Sequence, residues 1–484
     1  MRDHKEVTDN IWRKTEQYEA ETTAKKARRR RLLPKIAAAA AVCVVGVIVW
    51  KVAGGGRVGT TPTGYAVTAT VVPVLTEPGN RQDPAKPTTE PDWRNGAKEL
   101  TAALSSAAAP NGKPMDEAMR TAYEAFACKL FAGLPAEGTR MVSPFSVYTA
   151  LCMLANGADG DTLAQMDAML GLTEKERNAY LSTWVSKLTG GGDEGATFTN
   201  ANSIWIKNTF ESSVPKDFLN TCARYYRSAV YSAPFTQETV NAINGWVKTN
   251  TKDMIEKLID ELDPQAVMFL LNAIAFDAKW EDEFDENLTK KDYTFIRENG
   301  TTENVDMMFG KHLCGFLYSD LATGFVKKYK GGEFSYVALL PKKGVSIAQL
   351  AESLQPGALR ELLATAEIDE VNIGIPKYEA EYFVKLNDVL KQMGMTDAFD
   401  SSKADLSRLL TEPETYVNRV LHKTFISVDE KGTKAAAVTG IEVNKESVTA
   451  DVILNRTFVY AIVDSEGLPI FLGVYDGKPE PTGR

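Results

Sequence analysis

Apolar and polar positions divide the chain into unlike parts. Residues 1–31 are polar and end in the basic cluster Lys25 to Arg31; an apolar run, Leu32 to Ala53, follows at once. Residues 54–95 are rich in Gly, Thr and Pro and keep no sustained period, as a linker does. Within it Val67 to Leu75 is more apolar and is a candidate stray strand. From residue 96 the pattern is that of a folded domain. Tyr123, Phe126, Ala127 and Leu130 recur at helical spacing. Ser143 before Pro144 reads as an N-cap ahead of a first-turn proline, and Asn156-Gly157 as that helix's end. Val240, Ile243 and Val247 mark another helix. Val267 to Phe276 is a continuous apolar run broken only by Asn272, which suits a central strand buried on both faces. Tyr336 to Leu340 and Val371 to Lys377 read as strands, and Leu386 to Leu390 begins a helix that stops at Gly394. Thr457 to Asp464 and Pro469 to Asp476 pair as a hairpin around Ser465-Glu466-Gly467. No β-α-β alternation runs through the domain, which argues against a doubly wound parallel sheet and for a mixed α+β fold.

The most informative pattern lies in Asp429 to Ser447. Thr433, Ala435, Ala437, Thr439, Ile441 and Val443 form one uncharged face, while Lys434, Ala436, Val438, Gly440, Glu442 and Asn444 carry all the charge. That is the period of a strand with one buried and one wet face. Its alanines and glycines are poor β-formers, and three alanines in a row suit a helix equally well. The segment is able to pair in a sheet but is weakly committed to it.

Charge and cysteines narrow the function. The net charge is −9, yet residues 1–35 hold eleven Lys or Arg against six Asp or Glu, so the body is more acidic than the total. An acidic body argues against nucleic-acid binding. Cys43, Cys128, Cys152, Cys222 and Cys314 show no CxxC spacing, so neither a zinc site nor a dithiol centre is expected and they read as buried free thiols. With only His4, His312 and His422, and no metal or phosphate motif, an enzyme is not expected and no cofactor is implied.

The apolar run has its own reading. Spanning a bilayer takes about 20 apolar residues. Leu32 to Ala53 reaches that length if Lys35 and Lys51 snorkel to the interfaces, with Trp50 as an interfacial anchor. The basic cluster ahead of it places the N-terminus in the cytoplasm and the domain outside, as a single-pass protein of the cell membrane. A cleaved signal peptide is the rival, with Val52-Ala53-Gly54 as a small-residue site, against which stands a polar leader of about 31 residues. The expected organisation is a cytoplasmic tail (1–31), a transmembrane helix (32–53), a linker (54–95) and a folded domain (96–484). A linker of that length reaches on the order of 100 Å if fully extended.

Several blocks resemble one family. Gly432-Thr433 with Ala435, Ala436 and Ala437, preceded by Leu421 to Lys431, is similar to the hinge of an inhibitory serpin. Ser143, Pro144, Ser146, Ala150, Leu151, Gly157, Ala158 and Thr162 match the family's SPxSxxxAL…NGAxGxT block. Ala201-Asn202 with Trp205 resembles its ANxxW strand. Ile243, Asn244, Trp246, Val247, Thr251 and Ile255 resemble its IN-WV-T-I segment, and Asn272 to Phe284 its NAxxFxxxWxxxF. Met393 to Phe399, Ala404 to Ser407 and the C-terminal strands match further blocks, over roughly residues 110–480. One departure is Thr457, where the family usually has proline; only a small local effect is expected.

The resemblance implies a large central sheet packed by about eight or nine helices, with an exposed reactive-centre loop. It implies a suicide-substrate inhibitor of serine, or also cysteine, proteases: the loop is cut, its hinge inserts into the sheet, and the acyl-enzyme is trapped. The hinge would comprise Glu430, Gly432, Thr433, Ala435, Ala436, Ala437 and Thr439. Ser143, Ser146, Asn272 and His422 would form the shutter beneath the opening sheet, and Trp280 would sit at the breach above it. Counting fourteen residues from Gly432, or back twelve from Phe458, places the reactive bond at Glu446-Ser447. Lys445 is the alternative for a trypsin-like target, and Val443 or Val448 for an elastase-like one. The partners expected are one target protease and, through residues 32–53, a membrane, with the protein a monomer. A non-inhibitory serpin acting as an extracellular carrier, chaperone or adhesion module is the alternative.

Overall fold

The computed structural model describes residues 92–94, 96–104, 112–190, 196–263, 265–412, 415–432 and 450–478. The strands, in chain order, are β1 (Lys98–Glu99), β2 (Arg140–Val142), β3 (Ala196–Lys207), β4 (Ala229–Ala233), β5 (Met268–Ala278), β6 (Lys290–Ile296), β7 (Thr302–Tyr318), β8 (Ala322–Lys328), β9 (Phe334–Pro341), β10 (Glu367–Pro376), β11 (Tyr378–Lys385), β12 (Val420–Val428), β13 (Ala450–Ile453), β14 (Phe458–Asp464) and β15 (Pro469–Tyr475). The α-helices are α1 (Glu117–Ala132), α2 (Pro144–Ala155), α3 (Gly160–Leu170), α4 (Glu174–Gly190), α5 (Lys216–Tyr226), α6 (Gln237–Asn250), α7 (Ile347–Ser353), α8 (Ala358–Ala364) and α9 (Asn387–Gln392). A six-stranded sheet runs β1-β4-β3-β5-β12-β11, and a nine-stranded one runs β13-β10-β7-β8-β9-β14-β15-β2 with β6 paired to β7.

The apolar pattern explains the layers. β5 is the continuous apolar run, and all of it but Asp277 is buried, because it lies inside the six-stranded sheet with cover on both faces. On one side α2 packs against β3, β5 and β15; every residue of α2 is buried. Its N-terminus is set by Ser143, whose hydroxyl accepts from the Ser146 amide, and by Pro144 in the first turn. On the other side α6, capped by Thr236, lays Val240, Ile243, Trp246 and Val247 into a cluster with Trp205, Phe269, Leu271 and Leu421. Burying each such side chain is worth about 1.5–3 kcal/mol. β14 and β15 form the expected hairpin around Ser465-Glu466-Gly467.

Packed chain begins within the end of the segment read as a linker. Asp92–Arg94 form a 3-10 turn, and Trp93 packs onto the α6 cluster. The run Leu32 to Ala53 lies outside the described residues; among those described no helix is long and apolar enough to cross a membrane. Cys128, Cys152, Cys222 and Cys314 are free thiols, three of them buried. At Thr457 the amide, which proline would lack, donates to the Ile296 carbonyl at 3.1 Å, and the hydroxyl donates to Asp476. The departure from proline is therefore built into the local hydrogen bonding.

Candidate functional site at the seam of the six-stranded sheet

The site is the seam between β5 and β12, neighbouring interior strands that run parallel. Their paired register extends from Val420↔Leu270 to Phe425↔Ala275. β5 continues to Ala278 and β12 to Val428 without further pairs between them. The lower part of the seam is thus closed and the upper part is not.

Below, pairing sets His422 beside Asn272 on one flank and Asn202 beside Asn272 on the other. The cap of α2 comes down onto this row. The Ser143 amide donates to His422 Nε2 at 3.0 Å, so the imidazole proton sits on Nδ1 and is donated to Asn272 Oδ1. The Asn272 amide group donates to Ser146 Oγ and to Asn202 Oδ1. Ser146 Oγ donates to Asn200 Oδ1 at 2.6 Å, and Ser143 Oγ donates to the Ile470 carbonyl at 2.7 Å. Ser143, Ser146 and His422 are fully buried and Asn272 nearly so. Burial pushes the His422 pKa down to about 3, so the ring is neutral and acts as a fixed donor–acceptor bridge. It has no nucleophile to serve. All four predicted shutter residues meet here. Asn200 and Asn202 complete the network, although sequence reasoning assigned them no role; Asn202 stands within the Ala201-Asn202 motif, which was the available signal.

Above, the chain leaving β5 turns across the end of β12. The Trp280 amide donates to the Lys431 carbonyl at 3.0 Å, the Phe284 amide to the Glu430 carbonyl at 2.8 Å, and the Trp280 indole to the Asp429 carbonyl at 2.9 Å. The indole lies on the Tyr329 ring, centroids 4.5 Å apart and planes 9° from parallel. Lys327 Nζ sits 5.5 Å from the indole and 4.9 Å from the Phe284 ring, and burial pushes its amine down to about 8. The Glu430 carboxylate receives Lys377 Nζ and Thr289 Oγ1, each at 2.8 Å. Burial alone raises its pKa, but these donors outweigh it and hold the group below its ordinary value. Trp280, Glu430 and Gly432 therefore meet at the head of the seam, while Lys377 and Thr289 are partners that their sequence positions did not announce.

Gly432 is the last described residue before the loop. It pairs with Asp429 across a tight turn and with Lys279 at the end of β5. Its φ is +127°, and a Cβ there would meet the Ala278 carbonyl and come within 2.5 Å of Lys279 Cα and 2.6 Å of Trp280 N. Only glycine fits this close approach of backbones. Thr433, Ala435, Ala436, Ala437, Thr439, Lys445, Glu446 and Ser447 lie outside the described residues.

The pattern described as Serpin (serine protease inhibitor) matches residues 121–476. The chain belongs to the serpin family. It is 32% identical over 362 residues to Iripin-5 of Ixodes ricinus, an alignment covering 71% of this chain and 90% of that protein. Mouse Serpin B11 is 30% identical over 356 residues, 69% of this chain and 92% of its own length. Among solved structures, a thermophilic serpin, tengpin, in its native state superposes with a TM-score of 0.74 at 37% identity, covering 79% of this chain and all of that one. The same protein in its latent state gives 0.67 and covers 76% of this chain. This serpin is a protease inhibitor, and its seam is closed by a buried hydrogen-bond network below and left unpaired above, where Gly432 is seated.

Proposed function

We propose that this serpin is a membrane-tethered suicide inhibitor whose loop, once cut after Glu446, inserts down the seam with Thr433, Ala435, Ala437 and Thr439 facing the core. The observation that carries this reading is the double pairing of Gly432, with Asp429 on one side and Lys279 on the other. Continued downward, the first register sets Thr433 opposite Val428, Ala435 opposite Ile426, Ala437 opposite Thr424 and Thr439 opposite His422. The second sets the same residues opposite Ala278, Phe276, Ile274 and Asn272. The two registers agree with the β5–β12 pairing of His422 with Asn272. The β12 positions concerned are all buried, whereas Ser427, Phe425 and Lys423, opposite Lys434, Ala436 and Val438, are only half-buried.

Insertion replaces one parallel pairing by two antiparallel ones, because the loop returns against β12 and β5 runs with β12. Antiparallel pairing is the more stable per residue. It also brings the Thr439 hydroxyl between Asn272 and His422, where it is able to accept from one and donate to the other as their direct hydrogen bond breaks. In the chemical step the protease nucleophile attacks the Glu446 carbonyl carbon, the Glu446–Ser447 bond breaks, and Ser447 leaves as the new amine while the ester remains. Insertion outruns hydrolysis of that ester.

Residues 32–53 anchor the inhibitor in this reading and residues 54–91 hold it clear of the surface, outside the cell. A panel of Glu-specific, trypsin-like and elastase-like proteases tests the reactive bond. Mass spectrometry of the fragment released with a detergent-stable adduct should begin at Ser447. Release beginning at Glu446 moves the cut to Lys445 and favours a trypsin-like target. Retention in the membrane pellet after alkaline extraction tests the anchor.

A further inference from the structure

The helix α6 shares one apolar cluster with both strands of the seam that must open. Its cluster joins Phe269, Leu271 and Ala273 of β5 to Leu421 of β12, with Phe425 packed against it. Parting β5 from β12 therefore requires α6 to lift or slide. What holds α6 on its far side comes from the first packed stretch of the chain. Trp93 lies against α6 and edge-on to Tyr231, with centroids 5.9 Å apart. Tyr231 in turn stacks on Trp205 and meets Trp246 of α6 edge-on. Gly245, in the middle of α6, is the seat: a Cβ there would lie 3.1 Å from Trp93 Cγ and closer still to its Cβ. Glycine inside a helix is costly, so its place here answers to the indole. The strand that follows is laced to the sheet edge. Lys98 and Glu99 pair with Ser232 and Tyr231 of β4, the Leu100 amide donates to the Val230 carbonyl at 2.7 Å, and Ala97 and Thr101 are buried. Arg94 and Glu99 close the turn with an ion pair at 2.8 Å.

We propose that Trp93 and β1 form a clasp that pins α6 across the β5–β12 seam and so sets how fast the sheet opens. It stands immediately after residues 1–90, so cleavage on one side of Trp93 releases an inhibitor with the clasp and cleavage on the other side releases one without it. The inference rests on the reading that the sheet opens at this seam.

The test uses the full chain and the rate at which a synthetic peptide copying Thr433 to Glu446 anneals into the intact protein, followed by its gain in melting temperature. Trp93→Ala should anneal roughly tenfold faster than wild type, the loss of about one aromatic contact. Gly245→Ala should do the same by displacing the indole, and should add nothing in the Trp93→Ala background. Trp93→Phe, which keeps a ring, should fall between and serves if the alanine variant does not fold. Equal annealing rates in folded wild type, Trp93→Phe and Gly245→Ala, or additive effects in the double variant, overturn the clasp. If the peptide anneals to none of them, including wild type, the opening seam itself is wrong.

Discussion

The two ends of one seam are built in opposite ways. At the lower end, His422, Asn272, Ser143 and Ser146 exchange hydrogen bonds in a dry, uncharged network. At the upper end, Glu430, Lys377 and Lys327 and the Trp280 indole surround a gap in which Gly432 is seated. A buried neutral network is cooperative, since each lost bond leaves a desolvated partner. The Lys377–Glu430 pair, whose lysine is 44% exposed, is graded, since solvent replaces what is lost there. The sheet is thus closed by hydrogen bonds below and unpaired above, and in the proposed mechanism a strand enters from the unpaired end.

The largest effect should come from charging the strand that enters. Thr433→Arg places a cation opposite Val428, which is fully buried. An unpaired charge there costs several kcal/mol. Cleavage should persist while detergent-stable adduct falls to near zero on gels, and the intact protein should melt as wild type does. An unchanged adduct yield would remove the register from the argument.

Next comes the latch. His422→Ala leaves the Ser143 amide and Asn272 Oδ1 buried without their partner. Two orphaned groups cost roughly 2–6 kcal/mol together. The loss should appear in the denaturant midpoint of the intact protein, with faster spontaneous insertion. It should be smaller in the loop-cleaved form, where Thr439 has replaced the direct bond. Equal losses in both forms would show that insertion leaves the latch untouched.

Parts of this contrast were legible from residues alone. The run Val267 to Phe276 marked the buried strand β5, while the alternation from Thr433 to Val443 falls outside the described residues. The shutter set came through resemblance, because nothing in the spacing of Ser143, Asn272 and His422 says that they meet; the β5–β12 register does that. Asn200 and Asn202 were missed for the same reason. Lys377 follows β10 far from Glu430 in sequence, and only the fold joins them. Trp93 was hidden by its Pro- and Thr-rich neighbours, whose composition describes a linker while one indole has a seat waiting in α6. Gly432 enters the hinge through resemblance, and what demands a glycine there is the backbone of Ala278 to Trp280, which only the fold brings close.

Acid should separate the two ends. The His422 pKa is about 3 in the fold against an ordinary 6.5, so between these values the unfolded chain binds the extra proton. Stability is therefore full above about pH 6.5 and falls as pH drops, by about 2 kcal/mol at pH 5. Glu430, held below its ordinary 4.5, contributes stability that is lost only below that value. His312, also lowered by burial, pulls the same way as His422 near the breach. Denaturant midpoints of wild type and His312→Asn from pH 7.5 to 5 isolate the latch. A loss that vanishes in His312→Asn would place the acid-sensitive group at the breach instead.

The smallest effect should be at the rim, and its smallness is the point. Lys377→Met removes the 2.8 Å ion pair to Glu430 but leaves the Thr289 hydroxyl on the same carboxylate. Lys377 is 44% exposed, so its net contribution to stability is about 1 kcal/mol or less. The melting temperature should barely move. The rate of peptide annealing should rise more than stability falls, because the pair ties β12's exit to the segment after β10, the place where the seam first parts. High salt should mimic the variant in wild type and do nothing further to it. If Lys377→Met cost as much as His422→Ala, the upper end would be a second latch, and the sheet would have no preferred end from which to open.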